Sequence, residues 1–266
     1  MASTQVAPKV AATVTPKPVS KLAPLGGFFA MAGDSLRAMF RRPFALGEFL
    51  EQTLFIASVS FLPAIFVTIP FTVVVQFFIN QLLQEIGATD LSGAGAGLVV
   101  IQELGPFCAV LVVAGAGATA VCADLGARKI REELDAMEVL GLDPMQRLVA
   151  PRILAFVVVS LGLYGVVCVV GLIGTYVFAV TLGGASPGLF IANLTLVTGF
   201  GSFITALIKT ALFGVAAALV SCYLGMNAKG GPKGVGEAVN QTVVFTLMVL
   251  LVINSTVTTV YLQLGG

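Results

Sequence analysis

The stretch ARKIREELDAMEVLGLDPMQRLVAPR, residues 127–152, decides the fold, because it is the densest charged block in a chain that is otherwise mostly apolar. It carries five of the fourteen basic residues and, counted from Asp124, six of the thirteen acidic ones. Long apolar runs flank it on both sides. Such a block cannot sit in hydrocarbon, so it must lie in water or at the headgroup level, where a soluble partner can grip it. Residues 128–140 contain no proline or glycine and only two β-branched residues, which predicts one helix of roughly three to four turns. Ile130, Leu134 and Met137 recur at helical spacing and give it an apolar face to rest on the neighbouring spans. Arg128, Glu132, Glu133, Asp135 and Glu138 fill the other faces, with Arg128 and Glu132, Lys129 and Glu133, and Arg131 and Asp135 each four apart. Gly141 suits the left-handed residue that ends a helix, and Pro144 stops it from resuming. The block reads either as a polar loop that merely obeys topology or as a partner-docking helix. Its length favours docking, since a connector needs far fewer residues.

The composition fits this placement. The 266 residues are 58% hydrophobic and 10% charged, whereas a soluble domain carries about 25% charged residues. Mean hydropathy is +1.03. The expected class is an all-α integral membrane protein. Five runs are long enough to cross about 30 Å of hydrocarbon, near 53–79, 98–123, 153–182, 203–224 and 242–264. Pro63 and Pro70 predict a kink or break in the first. Residues 186–199 are apolar but short and glycine-broken, which predicts an interfacial turn. Residues 1–24, with four prolines among Ala, Thr, Val and Lys, read as a disordered tail without a signal-peptide core. Residues 25–52 are amphipathic, with Phe28, Ala32, Leu36, Met39 and Phe40 on one side and Asp34, Arg37, Arg41 and Arg42 on the other. They predict an interfacial helix bent or split at Pro43.

Basic residues set the orientation. Six precede the first span, five lie in the 124–152 block and two in the 225–241 loop, so thirteen of fourteen share one side. The positive-inside rule therefore predicts a cytoplasmic N-terminus and charged block, and an external C-terminus.

Glu103 and Lys209 stand inside spans at similar depths from the outer surface. They form a pair or line a cavity in the outer half, or else each snorkels to the outer headgroups. Span two is rich in small residues from Gly105 to Ala120, which suits either internal packing or a subunit interface. Cys108, Cys122, Cys168 and Cys222 fall in apolar runs with no CxxC pair, and read as buried thiols without a metal site. Histidine is absent and no span holds paired carboxylates, which disfavours an intramembrane enzyme. The run GGPKGVGEAVN, residues 230–240, lacks the Gly-Lys-Ser/Thr ending and preceding strand of a phosphate loop. It reads as a flexible turn whose Lys233 and Glu237 can touch a partner.

Two long blocks carry a family resemblance: ELGPFCAVLVVAGAGATAVCADLGARKIREELDAMEVLGLDPMQRLVAPRILA from Glu103 to Ala155, and LIKTALFGVAAALVSCYLGMNAKGGPKGVGEAVNQTVV from Leu207 to Val244. They resemble the MlaE/YrbE family of lipid-transporter permeases, and most of all the A-type YrbE subunits of actinobacterial Mce systems. The resemblance implies a five-span ABC permease half in the bacterial inner membrane, comprising residues 53–266, that performs no catalysis itself. It implies that the loop between spans two and three is a coupling helix gripped by a cytoplasmic ATPase dimer, which binds ATP and magnesium. That role falls on Glu132, Glu133, Asp135, Ala136, Glu138 and Gly141, with Arg128, Arg131 and Asp143 flanking them. The other implied partners are a paralogous B-type permease chain, a periplasmic Mce protein hexamer forming a tunnel, and a hydrophobic lipid of the fatty acid, sterol or phospholipid class. No nucleic acid is expected. Glu103 matches the Glu of the family's ELGP motif near the lipid pocket, although Gln102 stands where many relatives have Arg. Two other classes remain, an ion-gradient-driven secondary transporter and a non-transport membrane scaffold for an envelope complex. The first would use midplane charges and repeated halves, and five spans do not divide evenly. The second would tolerate mutation of the charged helix.

Overall fold

The computed structural model describes residues 23–39, 45–197 and 199–263. The expectations for residues 1–22 and for Phe40, Arg41, Arg42 and Pro43 lie outside the described residues. Lipid offers no partner to a peptide group, so a chain this apolar closes its backbone hydrogen bonds within helices. Ala23–Met39 forms α1, Leu46–Glu85 α2, Thr89–Ile130 α3, Glu133–Val139 α4, Met145–Thr181 α5, Pro187–Val197 α6, Phe200–Met226 α7 and Gly231–Gln263 α8. Helices α2, α3, α5, α7 and α8 are each long and apolar enough to cross a membrane. They match the five expected spans and overrun most of their ends, although α5 stops at Thr181, one residue short of the expected 182, and residue 264 lies outside the described residues. Hydropathy marks only the part suited to hydrocarbon, whereas a helix continues until a turn residue stops it.

Helix α2 runs uninterrupted through Pro63 and Pro70 for 40 residues. Its buried positions are Gln52, Ile56, Ser60, Ala64, Thr68, Thr72, Gln76 and Asn80, one every four residues. The facing helix α5 buries Ala155, Val159, Leu163, Val167, Gly171, Thr175 and Ala179 at the same interval. A repeat longer than 3.6 residues makes two helices wrap with a right-handed sense, and small side chains let their backbones approach. A Cβ on Gly171 would lie 3.1 Å from the Thr72 methyl. Two threonine hydroxyls in this seam need no partner helix: Thr68 donates to the Ala64 carbonyl at 2.6 Å and Thr72 to the Thr68 carbonyl at 2.8 Å. Helix α7 packs against α5 just as closely, since a Cβ on Gly214 would meet the Phe156 carbonyl oxygen at 3.0 Å. Phe156, Val121, Leu125 and Tyr164 fill the core among these helices.

Three local expectations are corrected. The amphipathic segment does not reach residue 52, because α1 ends at Met39 and residues 46–52 already belong to α2. Its buried line is Met31, Ser35 and Ala38, while Leu36 is exposed. Phe28, on the expected face, meets the Tyr223 ring edge-on at 5.5 Å. Residues 187–197 form a helix instead of a turn. Of the nearby glycines, Gly183 and Gly184 precede Pro187 and only Gly188 falls within α6, and Pro187 occupies the first helical position, which proline favours. Residues 231–240 are the first turns of α8, after Gly230 and Gly231 make the turn at φ 87° and 72°.

Helix α6 lies on Ser92–Gly97, the opening helical turns of α3, at the end of the bundle opposite α4. Asn193 donates to the Asp90 carbonyl at 2.7 Å, and Phe190 is buried against Tyr176 at 5.5 Å between ring centres. Only glycine fits at position 93, where a Cβ would sit 2.0 Å from the Phe190 carbonyl oxygen. Gly93→Ala should therefore lower the melting temperature of the purified protein, by an amount matching roughly 1–3 kcal/mol of overpacking strain. Gly115→Ala, whose Cβ meets nothing within 4 Å, should leave it unchanged or raise it. Equal effects of the two would contradict the close contact.

Candidate functional site

The charged block at residues 127–152 is not one helix. Helix α3 runs on to Ile130, the chain turns at Arg131 and Glu132, and α4 begins at Glu133. Glu132 takes the left-handed conformation at φ 58°, an uncommon state for a residue with a Cβ. The break has a physical compensation. It lets Leu134 reach the core, at 3% exposure, with Met137 packed beside it. Two of the three expected apolar contacts are thus made, while Ile130 stays 39% exposed.

The break also replaces the expected ion pairs, which assumed an unbroken helix. Arg128 Nε instead contacts Asp124 at 3.2 Å, Lys129 Nζ contacts Asp135 at 2.6 Å and Arg131 Nε contacts Glu133 at 2.6 Å. The Glu133 hydrogen bond raises the pKa of Arg131 above its ordinary value, and the Glu133 charge adds to it. Gly141 ends the helix as expected, at φ 76°, and the Leu142 amide donates back to the Met137 carbonyl at 2.9 Å. Asp143 then accepts from the Met145 amide at 2.9 Å and starts the next helix.

Helix α4 therefore has two distinct sides. Leu134 faces the bundle, and Glu132, Asp135, Ala136 and Glu138 are exposed. Val139 at 89% and Leu140 at 75% exposure form an apolar tip beside these charges. The sequence reading passed over that tip, because it gave Val139 and Leu140 no side of their own. Lys233 and Glu237 are exposed one turn apart at the start of α8.

At the opposite end of the bundle, Glu103 and Lys209 form an ion pair at 3.0 Å. Lys209 is buried at 2% exposure, and its ammonium also donates to Thr258 Oγ1 at 2.9 Å and the Gln102 carbonyl at 3.2 Å. Three donors thus find three acceptors, which is what a buried ammonium requires. Glu103 accepts in addition from Thr258 at 3.2 Å and Asn254 at 3.3 Å. Its phase is set by a π-helical segment, Leu98–Leu104, within α3. Such wide turns cluster at functional positions. Gln102 donates to Ser202 at 2.9 Å, and Ser202 shares a hydrogen bond with the Tyr261 hydroxyl at 3.0 Å. Asn254, Thr258 and Tyr261 were missed in the sequence, although their spacing of four and three marks one polar face of the last span. The cavity volume here is about 30 Å³, far too small for a lipid.

A further cluster went unnoticed at the charged end. The Arg152 side chain has 0% exposure and contacts Asp124 at 2.5 Å and Glu48 at 3.6 Å. The sequence treated Arg152 as the closing charge of a solvated block. The cysteines behave as expected, all free, with Cys168 partly buried and the other three buried.

Comparison with known proteins places this architecture. The family model described as Permease MlaE matches residues 49–260. A probable ABC transporter permease protein of Synechocystis sp. is 33% identical over 168 residues, covering 63% of this chain and 64% of that relative, just under two thirds of its length. A probable ABC transporter permease protein of Rickettsia typhi is 27% identical over 256 residues, covering 93% and 96%. The chloroplastic protein TRIGALACTOSYLDIACYLGLYCEROL 1 of Arabidopsis thaliana is 28% identical over 199 residues, covering 73% and 57%. The family match spans most of the chain and the relatives share its description, so the chain belongs to the MlaE family of ABC transporter permeases.

Proposed function

We propose that this chain is the permease half of an ATP-driven lipid transporter of Mce type, most like an actinobacterial A-type YrbE subunit. The observation that carries the coupling part is the two-sided helix α4, with Leu134 seated in the bundle and Val139 and Leu140 turned outward among acidic residues. Exposed apolar anchors rimmed by charge are the usual core of a protein interface. The family of ABC permeases implies an ATPase subunit as the partner. In this reading ATP and its magnesium are held by that separate cytoplasmic subunit, and the charged end faces the cytoplasm in keeping with the distribution of basic residues. The ATPase grips α4, and α4 passes displacement to the spans through Leu134 and through its short connections to α3 and α5. Lys233 and Glu237 stand at the same end of the bundle, where Val235 packs on Gly126 of α3, and are assigned to the same interface.

The lipid cargo is supported by the name of the chloroplast relative, which refers to a galactolipid, and by the chemistry of the bundle. An apolar groove of about 420 Å³ between α2 and α5 includes Ile69, Val73, Ile173 and Val177. One of about 340 Å³ between α1, α7 and α8 includes Phe28, Leu224 and Phe245. Both suit acyl chains. Since the Glu103 and Lys209 site holds only about 30 Å³, the transport cavity is assigned to the junction with a second, B-type permease chain. A periplasmic Mce hexamer would continue the path beyond the outer end, which carries α6.

Two outcomes test this reading. Val139→Asp or Glu133→Lys should weaken ATPase binding about tenfold or more, as loss of an interface anchor does, with membrane abundance unchanged. Co-purification of the ATPase at the normal level by both variants would count against α4 as the docking helix. At the outer site, Glu103→Leu should cost more stability than Lys209→Leu. The first strands a buried ammonium, a loss of roughly 3 kcal/mol or more, whereas the second leaves a carboxylate that is 43% exposed. Thermal unfolding of the two variants reads the difference, and the reverse order would contradict the pairing.

A further inference from the structure

The charges at the base of α4 form a connected group on three spans, in which Arg152 is buried and its partners are partly exposed. Arg152 of α5 donates from Nη2 to Asp124 of α3 at 2.5 Å and lies 3.6 Å from Glu48 of α2. Arg128 of α3 binds both oxygens of Asp124, at 3.2 and 3.3 Å, and Gln52 of α2 donates to Glu48 at 3.0 Å. Two cations and two carboxylates balance in charge. The group stands where α4 joins the bundle, since Asp124 and Arg128 lie just before the break at Glu132 and Arg152 lies shortly after the start of α5. Displacement of α4 reaches these residues before it reaches the membrane-embedded parts of the helices.

We propose that Arg152 is a positioning residue that locks α2, α3 and α5 into one block at the root of α4, so that a push on α4 moves three spans together. This rests on the reading of α4 as the ATPase-docking helix. The physical reason is the cost of separation. Arg152 has no exposed surface, and its Nε and Nη1 have no hydrogen-bond partner in the protein, so its charge is compensated through Nη2 alone. Sliding α3 past α5 would take away the hydrogen-bonded Asp124 carboxylate and leave the buried guanidinium only Glu48 at 3.6 Å, which is a costly change for a fold. Small residues along the α2 and α5 seam permit sliding, whereas the ion group forbids it at one end. The lock therefore supplies stiffness that packing there lacks. Asp124 is the critical partner, because among the described residues it alone joins α3 to α5 through a short charged contact, and it also holds Arg128.

The test places spin labels on non-natural amino acids at Leu50 and Ile130, exposed positions near the ends of α2 and α3, which leaves the native cysteines untouched. The reconstituted complex with its ATPase is measured with and without ATP and vanadate. In the wild type the distance between the labels should be the same in both states, because the two helix ends travel together. In Asp124→Asn it should become nucleotide-dependent, while ATPase binding persists and the lipid moved per ATP, followed with a fluorescent phospholipid, falls about fivefold. Asp124→Glu should restore the wild-type behaviour. A merely structural role would lower thermal stability without making the distance respond to nucleotide. A nucleotide-independent distance in Asp124→Asn, or a nucleotide-dependent one in the wild type, overturns the lock. Should the wild type bind no ATPase at all, the proposed function fails instead. The lock is then judged from the nucleotide-free distance distribution, which must broaden in Asp124→Asn and stay narrow in Asp124→Glu. Arg152→Lys, which keeps the charge but loses the planar fork, provides the same comparison if Asp124→Asn does not reach the membrane.

Discussion

A charge removed from water must meet an opposite charge or be expelled, and this constraint organises the molecule. Among the described residues two cations are buried almost completely, Lys209 at one end of the bundle and Arg152 at the other. Each is held by carboxylates from other helices. Lys209 joins α7 to α3 and, through Thr258, to α8; Arg152 joins α5 to α3 and α2. Every long helix is therefore tied to a neighbour by a contact that cannot be released cheaply. Between these ties the helices touch through small side chains, Gly117, Gly171 and Gly214 among them. Close packing of this kind brings backbones together but gives little resistance to sliding. A bundle pinned at both ends and smooth between them suits a protein that must change shape without coming apart.

The charged connection is built for the opposite task. Its short helix is bounded by a left-handed glutamate at one end and a left-handed glycine at the other, so it turns as a unit instead of extending α3. Leu134 fixes one face to the bundle, and the apolar tip at Val139 and Leu140 is free to meet another surface. Force entering at the tip has a short path to the Arg152 group. In the proposed mechanism, with energy arriving from a separate subunit, that path would carry the displacement.

Much of this architecture was legible in the sequence. Hydropathy and the placement of basic residues gave the five spans and the charged connection, because lipid imposes rules that composition must obey. Glu103 and Lys209 were legible as lone charges at matching depth. The features that escaped depend on contacts distant in the chain. The break at Glu132 has no proline or glycine to announce it, since its cause is the burial of Leu134 in a core made by other helices. Helix α6 forms despite Gly188 because Phe190 finds a socket against Gly93 and Tyr176. Arg152 looked like one more solvated charge because its partners, Asp124 and Glu48, lie 28 and 104 residues away along the chain. The polar face Asn254, Thr258 and Tyr261 was visible in its spacing, but only the position of Lys209 gave it meaning.

The central claim is that α4 is the point where a separate ATP-hydrolysing subunit takes hold. The most direct measurement is site-specific photo-crosslinking in intact cells, with the reactive group at Leu140 on α4 and a control at Leu189 on α6, both exposed. The expected result is a covalent adduct between Leu140 and a cytoplasmic ATPase subunit, identified by mass spectrometry, and no such adduct from Leu189. An ATPase adduct at Leu189, or none at Leu140 when the complex is otherwise intact, would contradict it.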